Sequence, residues 1–579
     1  MTDIRAQSFE RSERHPSTGL GRRWLVETAD GSQIEWDGFC TGPVALTTTE
    51  IADLCQRLLG VSIADIPALS ANLLGSPSTD GVRAPRVFLH STTPDLNSLA
   101  GDLSAVRHGR RSLDFTTYKE TRAPYLARPG DLAVGRTRPW RENCRVLDVS
   151  ALALPDVEHY YMSHALLSLA GRHLDAPVAE MTALIQRFAD APDTVASVYA
   201  LETELQIFLL WVRAQAGIDV LRTDANPTSV AQAWNRKDVL HPSVAAAEAL
   251  APPTDADGPA WLAVESAASP LHRRLGHAAP LFPGYTVERR DREQADFVQQ
   301  VLRAAQLLRT RHGLSLGCLK PSESGDGARI ALGIDLADQQ RLTALAEEAW
   351  SHGDPYLLEA HVDYVRSELR VDGDGAEAIT ERLLATPSAH VRAGRLAPGL
   401  TLQFMAGSSW KGNIYIDERN ASTLGLAPEH YAQARRAIEE LDAGFRAAGE
   451  GLTTAGVDLG IGRLGGPAWG ERVLIGVQDL NVSFTGAECL RAYMDRFAAG
   501  DELPCAASRV VRPHPGTDLD QLTRALRERA PADANAQVVA AVPDRWGMIA
   551  MSGATPDEAA RRVMACQQAL IADGVLLPL

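Results

Sequence analysis

Apolar residues recur along this chain with two periods, and the switches between them mark most of its elements. From residue 294 onward the helical period shows in QADFVQQVLRAAQLLRTRHG, in LTALAEEAWSHG and in the long YAQARRAIEELDAGFRAAGEG. Short apolar runs between and after them predict strands: LSLGCLKP, ARIALGI, PYLLEAHV, LTLQFMAG, TTAGVDLGIGRLG and RVLIGVQDLNVSF. The last stretch, 501–579, shows the same mixture on a smaller scale, with strands SRVVRP, AQVVAAVP and GMIAMSG and helices DLDQLTRALRERA and TPDEAARRVMACQQALIADG.

The first part of the chain reads differently. Residues 1–20 are charged and lack apolar periodicity, which predicts disorder. RRWLVET, a DGSQ turn and IEWDGF predict a hairpin, and TTTEIADLCQRLLG (47–60) a capped amphipathic helix. After the turn-rich GSPSTDGVRAP (75–85), RVFLHSTT (86–93) is a short strand whose end presents His90, Ser91, Thr92 and, further on, Asp95. Those four suit either a ligand loop or a simple turn. Residues 155–218 read as strongly helical. The whole predicts mixed α/β and α+β architecture in four segments: an N-terminal extension (1–80), an α/β domain (81–225), a large domain (226–500) and a small α+β domain (501–579).

Composition narrows the chemistry. With 579 residues, 45% hydrophobic and 22% charged, the chain can bury a substantial core. A net charge of −16 argues against sequence-independent nucleic-acid binding, which needs a basic face. Seven scattered cysteines (40, 55, 144, 318, 489, 505, 566) form no CxxC or Cys/His spacing and read as reduced thiols. No apolar leader and no run of about 18 apolar residues appears, so a cytoplasmic, non-membrane protein is expected.

Lysine is scarce: Lys119, Lys237, Lys320 and Lys411 are the four among 57 basic residues. Where arginine replaces lysine so widely, the remaining lysines are enriched for places that need a compact ammonium. Lys320 ends a strand and precedes Ser322-Glu323-Ser324-Gly325-Asp326-Gly327, a hairpin whose backbone N–H groups suit phosphate oxygens and which is equally an ordinary turn. No helix follows, so this is not a Walker loop. Lys237 lies upstream in AWNRKDVLHP, and PYLLEAHV carries Leu358, Glu359 and His361 out of a core. In LIGVQDLNVSF, Asp479 and Asn481 lie two apart on a strand and share a face, where a carboxylate and an amide suit magnesium; Asp458 precedes them.

In this order the residues resemble the ATP-grasp superfamily over roughly 226–500, and 81–225 is similar to the pre-ATP-grasp domain. The resemblance implies two α+β subdomains gripping ATP between Lys237 and Lys320. It further implies a hairpin at 322–327 (Ser322, Ser324, Gly325, Gly327) over the phosphates, adenine held near Leu358, Glu359 and His361, and Mg²⁺ on Asp458, Asp479 and Asn481. Asp479 stands where that family usually has glutamate, and Ser483 where it often has arginine; Arg392, Arg395 and Lys411 are the cations that would replace that arginine. The N-terminal segment and the C-terminal GMIAMSGATPDEA look like the pheganomycin-type peptide ligases of natural-product pathways. The implied reaction joins a small-molecule or peptide carboxylate to an amine through an acyl phosphate, without nucleic-acid or membrane partners. Dimers are common in this architecture. Phosphotransfer to a hydroxyl acceptor, or a non-catalytic nucleotide-binding module, are the alternative readings.

Overall fold

The computed structural model describes residues 5–8, 25–27, 33–35, 46, 48–77, 83–90, 118–135, 145–148, 162–254, 257–276, 279–289, 293–322, 329–371, 379–406, 409–499, 502–542 and 546–579. Two units separate: Met1–Ser229 with Arg512–Leu522 and Val539–Gly547, and Val230–Val511 with Thr523–Val538 and Met548–Leu579.

In the first unit six strands form a parallel sheet in the order Leu74–Gly75, Leu221–Thr223, Val195–Val198, Arg86–Leu89, Leu132–Gly135, Arg145–Asp148. Parallel strands are covered on both faces and so become uniformly apolar. All four residues of Val195–Val198 are buried, and helices Met162–Asp175, Ala179–Asp190 and Thr203–Ala216 contribute Leu166, Leu184, Phe208 and Trp211 to the same core. The strongly helical reading of 155–218 holds for these three helices, and the strand Val195–Val198 interrupts it. A short buried strand has no alternation to betray it, so TVASV merges with its helical flanks. Arg5–Ser8 is likewise a strand, paired with Leu25–Glu27 beside the expected hairpin partner Gln33–Glu35, where disorder was predicted for 1–20. Backbone pairing there needs no apolar periodicity. His90 is buried at the end of its strand; Ser91, Thr92 and Asp95 lie outside the described residues.

The second unit contains two antiparallel sheets that carry the chemistry. The smaller runs Gly284–Val287, Tyr356–Ala360, Leu316–Pro321, Ala331–Asp335. Helices Gln294–His312 and Gln339–His352 supply Phe297, Val301, Leu308, Leu342 and Ala346 to a core that also takes Leu319, Tyr356 and Leu358. Alternation sends the residues in between, Lys320 and Glu359, to the opposite face.

In the larger sheet, Thr454–Leu464 pairs along one edge with Val473–Asn481 and along the other with Pro387–Arg392 and Val362–Tyr364. Pro387–Arg392 continues to Leu400–Ala406, Ser409–Ile416 and then residues 507–509. The helix Pro428–Ala447 packs against these strands. Along Pro387–Arg392, Ala389 and Val391 occupy one face and Ser388, His390 and Arg392 the other. Among the described residues no helix is long and apolar enough to cross a membrane.

Candidate active site

Four polar residues meet on the larger sheet because its register aligns them. Asp458 is the cross-strand partner of Asp479 on one side and of Ser388 on the other, and Gly456 is the partner of Asn481. Residues directly opposite in an antiparallel pair project to the same face. Ser388 Oγ donates to Asp458, Gln403 Nε2 donates to Asp458 Oδ1 at 2.9 Å, and Asn481 Nδ2 donates to Asp458 Oδ2 at 3.0 Å. Burial, and then the negative charge of Asp479, push the Asp458 carboxyl up to about 6, against the opposing pull of Ser388, Lys237 and Asn481.

Lys237 answers that negative charge. It opens a short 3-10 turn, is buried, and its Nζ lies 3.0 Å from Asp479 Oδ2. The turn is fixed to the end of the Lys320 strand: Lys237 N donates to Ser322 O at 3.1 Å, and Ser322 Oγ donates to Asp238 Oδ1 at 2.6 Å. Ser322 therefore ties the two lysine-bearing segments together.

Lys320 stands between the sheets of this unit. Its Nζ lies 2.7 Å from Glu359 Oε1 and donates to the Gln478 carbonyl at 3.3 Å, one residue before Asp479. Burial disfavours the ammonium, but the adjoining Glu359 outweighs it and raises the Lys320 pKa. Burial would likewise push Glu359 up, yet Lys320 and then His241, 3.3 Å away, hold it at about 2. Gly284 makes room for this pair, since a Cβ there would lie 2.9 Å from both Glu359 Cβ and His241 Cε1.

Lys237, Lys320, Ser322, Glu359, Asp458, Asp479 and Asn481 thus come together. Leu358 does not join them: its side chain is buried in the helix-side core and its strand is paired along both edges. His361 is half-buried just past that strand, its N–H donating to Leu316 O. Ser324, Gly325 and Gly327 lie outside the described residues. Lys411 sits where the register slips between the Phe404 and Met405 pairs, two residues before Asn413, the partner of Gln403. Arg392 is engaged elsewhere, with Nε 3.2 Å from Glu488 and Nη1 3.6 Å from Asp495, and exposed Arg395 is its cross-strand partner.

Sequence reading missed Ser388, Gln403, His390 and His241. Gln403 did carry a signal, a polar residue midway along the apolar LTLQFMA; Ser388 and His390 sit in a strand, PSAHVR, that no period announced. His390 is held between two hydroxyls, Thr401 Oγ1 at 3.0 Å and Thr485 Oγ1 at 3.1 Å, and burial pushes its imidazole down to about 4.

Among the described residues no group of three His, Cys, Asp or Glu side chains gathers as a metal cage. The arrangement that fits a cation is two carboxylates and one amide, all hard oxygen donors. A divalent ion held by these residues would offset both the burial of the Asp458 carboxylate and its repulsion from Asp479, and the donor set suits magnesium.

No protein-family model matches this sequence, and no curated protein does. Among solved structures the chain is similar to an N5-carboxyaminoimidazole ribonucleotide synthetase complexed with ADP, at 10% identity and TM-score 0.39, over 79% of this chain and 95% of that one. It is similar to the biotin carboxylase domain of the Hydrogenobacter thermophilus 2-oxoglutarate carboxylase with MgADP and bicarbonate, at 10% identity and TM-score 0.39, over 75% and 84%. It is also similar to the L-amino acid ligase of Bacillus licheniformis, at 10% identity and TM-score 0.37, over 86% of this chain and 98% of that one.

Proposed function

We propose that the chain is an ADP-forming carboxylate–amine ligase of the ATP-grasp kind, working in the cytoplasm on small-molecule or peptide substrates of a natural-product pathway. The observation that carries this reading is the convergence of Lys237 and Lys320 on the Asp458–Asp479–Asn481 face. Phosphoryl transfer asks mainly for positioning and charge neutralisation, and two buried ammonium groups beside paired carboxylates provide both. In this reading residues 81–225 are the pre-ATP-grasp domain, 226–500 grip the nucleotide, and 501–579 form the small C-terminal domain.

Magnesium, held by Asp458, Asp479 and Asn481, would neutralise charge on the phosphates. Lys320 binds phosphate oxygens and is kept cationic by Glu359. Lys237 neutralises Asp479 and supplies the second ammonium beside the phosphates. Ser322 holds both lysines in register. Lys411 is the supplementary cation of the same sheet, while His361 and the chain beyond Ala360 border the adenine.

The test is to incubate the purified protein with ATP, Mg²⁺ and pooled amino acids and short peptides, following ADP and new masses together. An amide product formed in step with ADP and phosphate is expected. A phosphorylated product in its place would make the chain a phosphotransferase, and no ADP with any pool would leave only nucleotide binding.

A further inference from the structure

The larger sheet carries a cavity of 310 Å³ that the nucleotide and cation positions leave unused. One wall is the strand face that continues from Ser388 through His390 to Arg392; the other is the helix Glu488–Arg496. Glu488, Arg491 and Asp495 stand three or four residues apart on that helix, so they share one side of it. The strand and the helix are locked together by Arg392, which reaches both Glu488 and Asp495, while Arg491 Nε donates to Asp495 Oδ1 at 2.9 Å.

Two features define what such a cavity accepts. Its polar side carries both signs of charge, with Glu488 only 3% exposed and Asp495 26%. Its other side is apolar, formed by Leu396, Leu400, Leu490 and Met494. An ammonium is met by the carboxylates, a carboxylate by the guanidinium groups of Arg392 and Arg491, and a hydrocarbon side chain by the leucines and methionine. Arg392 and Arg491 are already paired with Glu488 and Asp495, so a zwitterion, which brings one charge of each sign, exchanges with these pairs without leaving an excess of either. The volume sits at the low end of small-molecule pockets, which run from about 300 to 1,000 Å³, and suits one amino acid. His390 lines the cavity and is two residues from Ser388 on the same strand face, so this wall of the cavity lies about 7 Å from the Asp458 row.

We propose that this cavity is the acceptor subsite and takes a free α-amino acid with an apolar side chain, whose amino group attacks the activated acyl carbon. The assignment rests on the ligase reading above. The amine lone pair forms the C–N bond as the C–O bond to phosphate breaks, its electrons leaving on phosphate. Of the two protons the ammonium gives up, one leaves on phosphate and the other passes to solvent. Arg392 and Glu488 orient the amino acid, and His390 with Thr401 and Thr485 forms the neutral rim between acceptor and cation site.

The experiment is calorimetric titration of the full chain with L-leucine, L-methionine and L-phenylalanine in turn, with Mg²⁺ and a non-hydrolysable ATP analogue. At least one amino acid is expected to bind, and for leucine the fragments 4-methylpentanoate and 3-methylbutylamine should bind at least about tenfold more weakly. Leu396→Trp fills the cavity and should weaken the amino acid at least about tenfold while leaving the analogue's affinity unchanged. If its melting profile shows that this variant fails to fold, Glu488→Gln, which keeps the shape and removes the charge, carries the same expectation. The proposal is overturned if the analogue binds but no amino acid does, or if the folded variants bind the amino acid as tightly as wild type. Amino-acid binding without analogue binding would remove the ATP reading and with it the acceptor role, leaving only an amino-acid site; if neither binds, both fall.

Discussion

Asp458 and Asp479 face each other as partners on neighbouring antiparallel strands, and only Asp479 has a lysine, Lys237, at 3.0 Å. The pair is therefore unequal. Asp458 rests on neutral donors from Ser388, Gln403 and Asn481 and is pushed up to about 6, which leaves it partly protonated in mildly acidic solution.

A pH dependence of cation binding follows. Since a divalent ion favours the ionised carboxylate, Mg²⁺ affinity should rise with pH up to about 6 and level off above it. Below that point the gain is about tenfold per pH unit for one displaced proton. Titration with Mg²⁺ from about pH 5 to about pH 8 checks this. An affinity independent of pH would remove Asp458 from the cation's ligands.

The same group also opposes folding when ionised. A carboxyl whose folded pKa is raised contributes its stability fully below the unfolded value of 3.8 and loses it as pH rises through about 6. Asp458→Asn should therefore stabilise the protein at neutral pH by about 1–2 kcal/mol. ADP formation should fall by at least about 10²-fold. Melting curves with rate measurements on one preparation separate gain of stability from loss of activity.

Lys320 and Glu359 offer the converse case. Lys320→Met leaves a buried carboxylate with His241 alone and should cost about 3–5 kcal/mol. Adding Glu359→Leu should restore much of that stability, because the uncompensated charge goes with it, and should not restore nucleotide binding. Denaturant unfolding and analogue binding, measured on both variants, report the two effects separately. Recovery of binding in the double variant would contradict the phosphate role of Lys320.

Gly284 tests how closely the small sheet is fitted to that pair. A methyl group at 284 would meet Glu359 Cβ and His241 Cε1 at 2.9 Å each, so Gly284→Ala should destabilise by about 1–3 kcal/mol and loosen the Lys320 ion pair. Unfolding midpoints in urea check this, and an unchanged midpoint would mean the strand shifts to admit the methyl.

Local patterning carried much of this protein. The helices Gln294–His312 and Pro428–Ala447 follow from a 3.6-residue period, because each buries one face and exposes another, and the strands of Asp458 and Asp479 follow from their short apolar runs. The rarity of lysine singled out Lys237 and Lys320 without any coordinates. What only tertiary structure decided is who meets whom. Ser388 and Gln403 reach Asp458 through cross-strand register, which depends on neighbours distant in the chain. Glu359 read as a ligand contact or a surface charge, and the fold buries it between Lys320 and His241, because a carboxylate on a buried strand must find cations among whatever side chains packing brings alongside.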